Sequence, residues 1–466
     1  MIGLAYCLVL LVLISVGRIV GLPWLNAITA FSLGWGPMML VVSLPGAVSP
    51  EIGPTTWTLV WIATIATALG STAGWAVTPR FRREASEPSS IDFSRLSKFH
   101  LIFIAIYAVQ TASQIATLWP TIQSSGGWIV VISGGGNAYR NQTIESTLAS
   151  AQNSMDASSV LFAIFGYIAF FFGMLSMFTG ALMWYKGHRI VAVVPVGIAA
   201  IFSVLTLQRS TFVHYLIIFG VALIAVKLAD IKVAPPVGRS TRGPSSRRAK
   251  RGSAIVGTLA LLAGAVSVLF ATTQSRSAGT LGLESFRDYF LGGIIALESR
   301  IRINPEWAPP PAFDPGSQNS ALGLGAFSFN GLYSVLQRFG LPLPSAPSNL
   351  DFYPIEIFGT SMITNVATGL VEPVLDFGFL GVFIVPFLLA FILSAVQKRS
   401  AGSGQVTWVP LISYLTLAIA WSFYSMALSD FRMILVALFG GLVVQRLLGR
   451  RTARASPRQR PLVAAN

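Results

Sequence analysis

Four arginines and two carboxylates lie next to breaks between long apolar stretches, and through these residues the chain could do chemistry. Arg209 stands in the break Gln208-Arg209-Ser210, Arg276 just after an apolar segment, and Arg432 two residues after Asp430. Arg140 belongs to the glycine-rich run Gly134-Gly135-Gly136-Asn137-Ala138-Tyr139-Arg140-Asn141. A planar guanidinium with several donors suits the clamping of a phosphate or diphosphate. The alternatives are a seat among lipid headgroups or a carboxylate pair, for which Asp430 is a ready partner of Arg432. Asp376 lies about one turn into an apolar stretch, where an ionised group is costly unless it is paired or faces water. It is either half of an ion pair locking two helices, or a group that activates a substrate hydroxyl or binds sugar. Glu372, four residues earlier, shares its helix face, which makes one of the two a candidate for a raised pKa. Asn365 and Thr368 lie just ahead of them. Gln110, Thr111, Ser113 and Gln114 fit helix-to-helix hydrogen bonds better than a cavity lining.

Several chemistries are absent from the sequence. It holds no HExxH, no His and Cys cluster at metal-ligand spacing and no nucleotide-binding loop, so no metal and no cofactor is expected. The glycine run lacks the flanking strand and the lysine of a phosphate-binding loop. Asp376-Phe377-Gly378 matches a kinase tripeptide, yet it opens an apolar helix and no other kinase motif accompanies it.

The elements that must position these residues are membrane helices. Apolar residues are 53% and charged residues 11%, against about 25% charged in a soluble domain. Apolar stretches near the length needed to cross hydrocarbon, without strand-like alternation, point to an all-α polytopic bundle forming one integral membrane domain over 1–466. Eleven spans are expected, at 2–17, 24–45, 55–77, 99–119, 158–185, 190–207, 211–229, 254–273, 371–396, 406–428 and 431–448. The first is read as a retained helix, since Met1 to Leu13 has neither a basic start nor a small-residue cleavage site. The single cysteine, Cys7, excludes an intramolecular disulfide. One set of loops, including a basic loop at 230–252 and a basic tail at 449–466, carries 24 of the 32 basic residues. Basic residues gather on the cytoplasmic side, so the C-terminus is expected inside and, with an odd number of spans, the N-terminus outside. The net charge of +15 is thereby explained by topology, and no nucleic-acid partner is expected.

Two outward loops are long, 120–156 and 274–370. In the second, Leu283, Phe286, Phe290, Ile294, Leu297 and Ile301 recur at spacings of 3, 4, 4, 3 and 4. They predict an amphipathic helix lying on the outer membrane surface, weakened at Gly292-Gly293. A second short helix is expected over Asn330 to Phe339.

From about 200 to 396 the chain resembles the O-antigen and oligosaccharide repeat-unit polymerases of the Wzy type. The matching pieces are Arg209 followed by Gly220, which is similar to that family's arginine-x10-glycine motif; Tyr289-Phe290-Leu291-Gly292-Gly293; Gly331-Leu332-Tyr333; and Asn365-Val366-Ala367-Thr368 leading to Asp376-Phe377-Gly378 and Gly381. Ala367 and Val374 stand where such proteins often carry tyrosine. The resemblance implies a glycosyltransferase on the outer face of a bacterial inner membrane. Its partners would be polyprenyl-diphosphate-linked oligosaccharides, the lipid bilayer and a regulator of chain length. It assigns Arg209 and Arg276 to the diphosphate, Arg140 and Arg432 to diphosphate or sugar, Glu372 and Asn365 to substrate binding, and Asp376 to the acceptor hydroxyl. The surface helix would then act as a lid. Two rivals stand beside it. An O-antigen ligase is expected to carry a histidine in the large outer loop, and 274–370 contains none. A flippase or other transporter commonly shows repeated halves and midplane charges, which this chain lacks.

Overall fold

Backbone in hydrocarbon can hydrogen-bond only with itself, so the apolar stretches fold as helices. The computed structural model describes residues 2–79, 91–130, 157–206, 209–231, 233–234, 282–303, 328–338, 341, 353–364, 368–425 and 430–448. In chain order these form α1 (Ile2–Ile19), α2 (Ala27–Val42), β1 (Val48–Ser49), α3 (Pro54–Val77), β2 (Ile91–Asp92), α4 (Phe93–Ser124), α5 (Ala157–Tyr185), α6 (Arg189–Thr206), α7 (Arg209–Leu228) and β3 (Val233–Ala234). The later elements are α8 (Gly282–Ile303), α9 (Asn330–Arg338), β4 (Tyr353–Ile357), β5 (Thr360–Thr364), α10 (Val371–Ser400), α11 (Val409–Trp421) and α12 (Phe431–Leu448). Helix starts follow ordinary capping chemistry. Asn26 accepts from the Thr29 amide, Asp92 from Ser94 and Asp430 from Arg432, while Pro54 opens α3.

The chain is a largely helical membrane protein. Among the described residues six helices are long and apolar enough to cross a bilayer: α1, α3, α4, α5 over Ile164–Tyr185, α10 and α12. Ala27–Val42, Arg189–Leu205, Phe212–Leu228, Phe290–Ser299 and Val406–Trp421 are shorter apolar helices. Helices occupy ten of the eleven expected segments, and the eighth, 254–273, lies outside the described residues. Leucines 4, 8 and 11 and Val12 of α1 are exposed, as a lipid-facing helix requires.

Polar side chains join the helices where hydrocarbon offers no competitor. Tyr6 hydrogen-bonds Thr64 at 3.0 Å, Ser71 bonds Ser394 at 2.8 Å, and His100 bridges Thr179 and the Val191 carbonyl at 2.9 and 3.0 Å. Gln110 donates to the Gly166 carbonyl at 3.3 Å, the interhelical role expected of it. Helices α3 and α10 meet along Gly70 and Gly74: a methyl at either would lie 2.2 Å from the Phe387 or Phe391 carbonyl oxygen.

The two ends of the bundle differ. At one, Gly402 and Gly404 donate to the carbonyls of Leu228 and Ala229 at 3.0 and 2.7 Å, the Lys398 ammonium reaches the Trp75 carbonyl, and Val406 donates to Gln445 at 3.2 Å. Pairing of β2 with β3 draws in the start of α4. The carboxyl ends of α3, α7, α10 and α12 thus gather at what we call the basic end. At the opposite end β4 and β5 form a hairpin, which the sequence reading missed, and β1 pairs with β4. Its turn, Phe358-Gly359, has positive φ at both residues, the geometry that closes tight hairpins.

The expectation of a surface helix is overturned at α8. Residues 291–299 are buried without interruption, and α8 packs against α2, α3, β4 and β5. Leu291, Ile294, Ile295 and Leu297 belong to the main core rather than to a lipid-facing stripe. Gly293 is part of the reason, since a methyl there would sit 3.3 Å from the Phe423 carbonyl oxygen. Gly293 thus fits α8 against its neighbours. The short helix α9 appears where it was expected.

Replacing Gly74 by valine should push α10 off α3 and destabilise the protein by roughly 1–3 kcal/mol, the usual cost of overpacking. Thermal unfolding of the detergent-purified variant measures this, and an unchanged midpoint would contradict the contact.

Candidate functional site

Helix α10 does not run straight. Gly378 has φ 63° and ψ −154°, non-helical values inside an otherwise helical segment, and only glycine adopts them at little cost. Broken helices within a membrane protein are tolerated where the freed backbone is buried in protein or lines a cavity. Two residues before the break sits Asp376, 3% exposed. Its Oδ2 accepts the backbone N–H of Ser328 at 2.7 Å. This charge-assisted bond ties the turn leading into α9 to the start of α10. The Ser328 hydroxyl is also buried, and it has no hydrogen-bond partner among the described residues.

Tyr333, one turn into α9, lies within electrostatic reach of Asp376. Burial first, and the Asp376 carboxylate second, push its phenol above the ordinary value. Glu372 is half-buried one turn before Asp376, as their spacing implied. Thr368 is fully buried, and the adjacent Gly369 donates to the Ser422 carbonyl at 2.8 Å.

The other expected residues divide into three groups. Arg432 donates through Nε and Nη2 to Asp430 at 3.0 and 2.8 Å and lies 4.7 Å over the Phe170 ring. The carboxylate pairing considered from sequence is therefore formed, and the start of α12 also packs against α9. Arg209 opens α7, whose first residues lie away from the basic end. Over 20 residues a helix rises about 30 Å, so the Arg209 backbone falls at the same end as Asp376 and Arg432. Arg140, Arg276 and Asn365 lie outside the described residues.

Two contributors went unnoticed in the sequence. Ser328 acts through its backbone and carries no side-chain signal. Glu298, 3% exposed, accepts from the Gly53 amide at 2.8 Å, the Thr56 hydroxyl at 2.7 Å and Arg302 Nε at 2.8 Å. Its spacing of four from Arg302 was a legible cue. These bonds hold α8 against the start of α3, so Glu298 is a structural carboxylate with its charge compensated.

This end of the bundle holds the amino ends of α7, α10 and α12, each carrying partial positive charge, and the buried carboxylate of Asp376 near a helix break. It can hold an anionic group at the helix starts and accept a proton at Asp376. Among the described residues no group of three or more His, Cys, Asp or Glu could hold a metal ion. Comparison with protein-family models, curated proteins and solved structures finds no match for this chain.

Because the folded chain holds the Tyr333 proton more tightly than the unfolded chain, the associated stability is present below the ordinary phenol pKa of about 10 and is lost as pH rises beyond it. The absorbance difference at the phenolate band between wild type and Tyr333→Phe should therefore rise only above pH about 10. In an Asp376→Asn background that rise should move part of the way back, since burial remains. An unshifted titration would mean the two groups do not sense each other.

Proposed function

We propose that this protein polymerises polyprenyl-diphosphate-linked oligosaccharide repeat units on the outer face of a bacterial inner membrane. The observation that carries the reading is the buried Asp376 at the break of α10, at the same end of the bundle as Arg209 and Arg432. In the proposed reaction the bond between the growing glycan's anomeric carbon and the diphosphate oxygen breaks. A bond forms from that carbon to a hydroxyl of the next lipid-linked unit. Asp376 takes the hydroxyl proton, as general-base work requires. Negative charge develops on the departing diphosphate, where fixed guanidinium groups and helix amino ends stabilise it. Arg209 and Arg276 are proposed for the diphosphate, Arg140 and Arg432 for diphosphate or sugar, and Glu372 and Asn365 for substrate contacts.

The finer topology belongs to the same proposal: eleven crossings, including 254–273, with the basic end and the C-terminus cytoplasmic. The described cations Arg18, Lys227, Lys398, Arg399 and Arg446, each in the last turn of its helix, support it. The lid once suggested for the helix around Phe290 and Leu297 is not part of this reading. Residues 291–299 of that helix are buried without interruption, so this stretch is packed into the protein rather than free to move.

The test is to delete the gene and size the surface glycan and its lipid-linked precursors, with wild-type, Arg209→Ala and Asp376→Asn complements. The expected outcome is loss of long glycan with accumulation of single repeat units, rescued by wild type alone. Normal polymer in both variants at normal expression would reject the proposal. Full-length polymer left on its lipid carrier would mean a ligase, and repeat units held on the inner leaflet a transporter.

A further inference from the structure

The basic end holds a cleft of about 410 Å³ walled by the ends of α1, α3, α7 and α10, with Arg18, Trp75, Leu228, Lys398 and Ala401 among its lining residues. Among the described residues two cations and no carboxylate line it. Both cations are fixed in place. The Arg18 guanidinium donates to the Leu22 carbonyl and lies 4.5 Å over the Trp24 ring. The Lys398 ammonium donates to the Trp75 carbonyl and lies 5.6 Å over the Trp75 ring. A guanidinium has five N–H donors and an ammonium three, so both keep donors beyond those carbonyl bonds.

Capping of helix carboxyl ends alone does not account for the cleft. The partial negative charge of those ends is opposed by further cations, Lys227 in the last turn of α7 and Arg399 beside Lys398. The space itself is unfilled among the described residues: Gly21, on its wall, has φ +89°, and a side chain built there would meet nothing within 4 Å. The cleft also opens at the membrane rim. Trp24 is 73% exposed at this level, as interfacial tryptophans are, and Leu8, Val12, Val16 and Ile19 continue as exposed apolar side chains along α1. A fixed pair of cations at the head of a lipid-facing apolar helix matches a molecule with an anionic head and apolar tails.

We propose that this cleft is a binding site for the phosphate of an anionic glycerophospholipid, with Arg18 and Lys398 clamping the phosphate and the acyl chains running along α1. The site lies at the opposite end of the bundle from Asp376 and does not depend on the reaction proposed there.

The test uses full-length protein purified from mixed phosphatidylglycerol and phosphatidylcholine micelles, with bound lipid quantified by native mass spectrometry. Wild type should enrich phosphatidylglycerol by about ten-fold, the scale expected of two cations near a headgroup. Arg18→Gln with Lys398→Gln should abolish the enrichment, while Arg446→Gln, a cation outside the cleft lining, should leave it intact. Ala401→Phe fills the cleft while keeping both cations and should also lower the enrichment, which keeps the proposal decidable if the double variant does not fold. No preference in wild type, or a preference that survives both cleft changes, would overturn it. Displacement of the lipid by roughly 1–5 mM inorganic phosphate would mean a free-anion site and overturn the lipid assignment.

Discussion

Helices α3 and α10 lie against each other at glycine contact distance, and both ends of the molecule are referenced to that pair. Gly70 and Gly74 let the α10 backbone come within reach of α3, so packing rather than hydrophobic exclusion joins the two helices, as it must where the solvent is itself apolar. Along the same seam Ser71 bonds Ser394, and at its basic end Lys398 caps α3 at Trp75. At the other end Glu298 of α8 accepts from the Gly53 amide and the Thr56 hydroxyl at the start of α3. Asp376 is thereby mounted on a helix whose position is set along most of its length, next to the break at Gly378 and held by the Ser328 amide.

The bundle sorts charge by helix polarity. Four helices that finish at the basic end, α1, α7, α10 and α12, carry a cation in the last turn, while α10 and α12 start at the opposite end beside carboxylates that are already engaged. Asp430 caps its own helix and holds Arg432, and Asp376 holds the Ser328 amide. Buried ionised groups in a low-dielectric setting survive only when compensated in this way. The same two ends therefore present different chemistry, helix starts with engaged carboxylates at one and side-chain cations at the other.

Much of this was legible in the sequence, and the failures share a cause. Apolar length located the helices but not all of their starts: α4 begins at Phe93 behind its cap Asp92, ahead of the stretch expected at 99–119. The position of Asp376 inside an apolar stretch marked it as costly and hence worth attention. Periodicity, however, says which residues share a face and nothing about what covers that face. Leu283, Phe286, Phe290, Ile294, Leu297 and Ile301 were read as the apolar face of a helix lying on the membrane surface, but residues 291–299 are buried in protein, because α2, α3 and the hairpin supply the second wall. The hairpin had a local cue in Phe358-Gly359, with alternating Ile355, Ile357 and Met362 around it, that a search for membrane helices passes over. The break at Gly378 was invisible for another reason: glycine inside an apolar helix is ordinary in membrane proteins, and its φ is set by tertiary packing.

The pairing of β1 with β4 joins residues about 300 positions apart. A ribosome adding roughly 5–20 residues each second completes β4 tens of seconds after β1 has emerged. Throughout that interval the segment between α2 and α3 stays without its partner strand, and Glu298 has yet to reach the amide of Gly53. The early helices must therefore hold their place in the bilayer by their own apolarity and by contacts such as Tyr6 with Thr64. The end of the molecule that carries Asp376 can close only after β4 and α10 have been made, so a product stalled before them would be inserted in the membrane with that end left open.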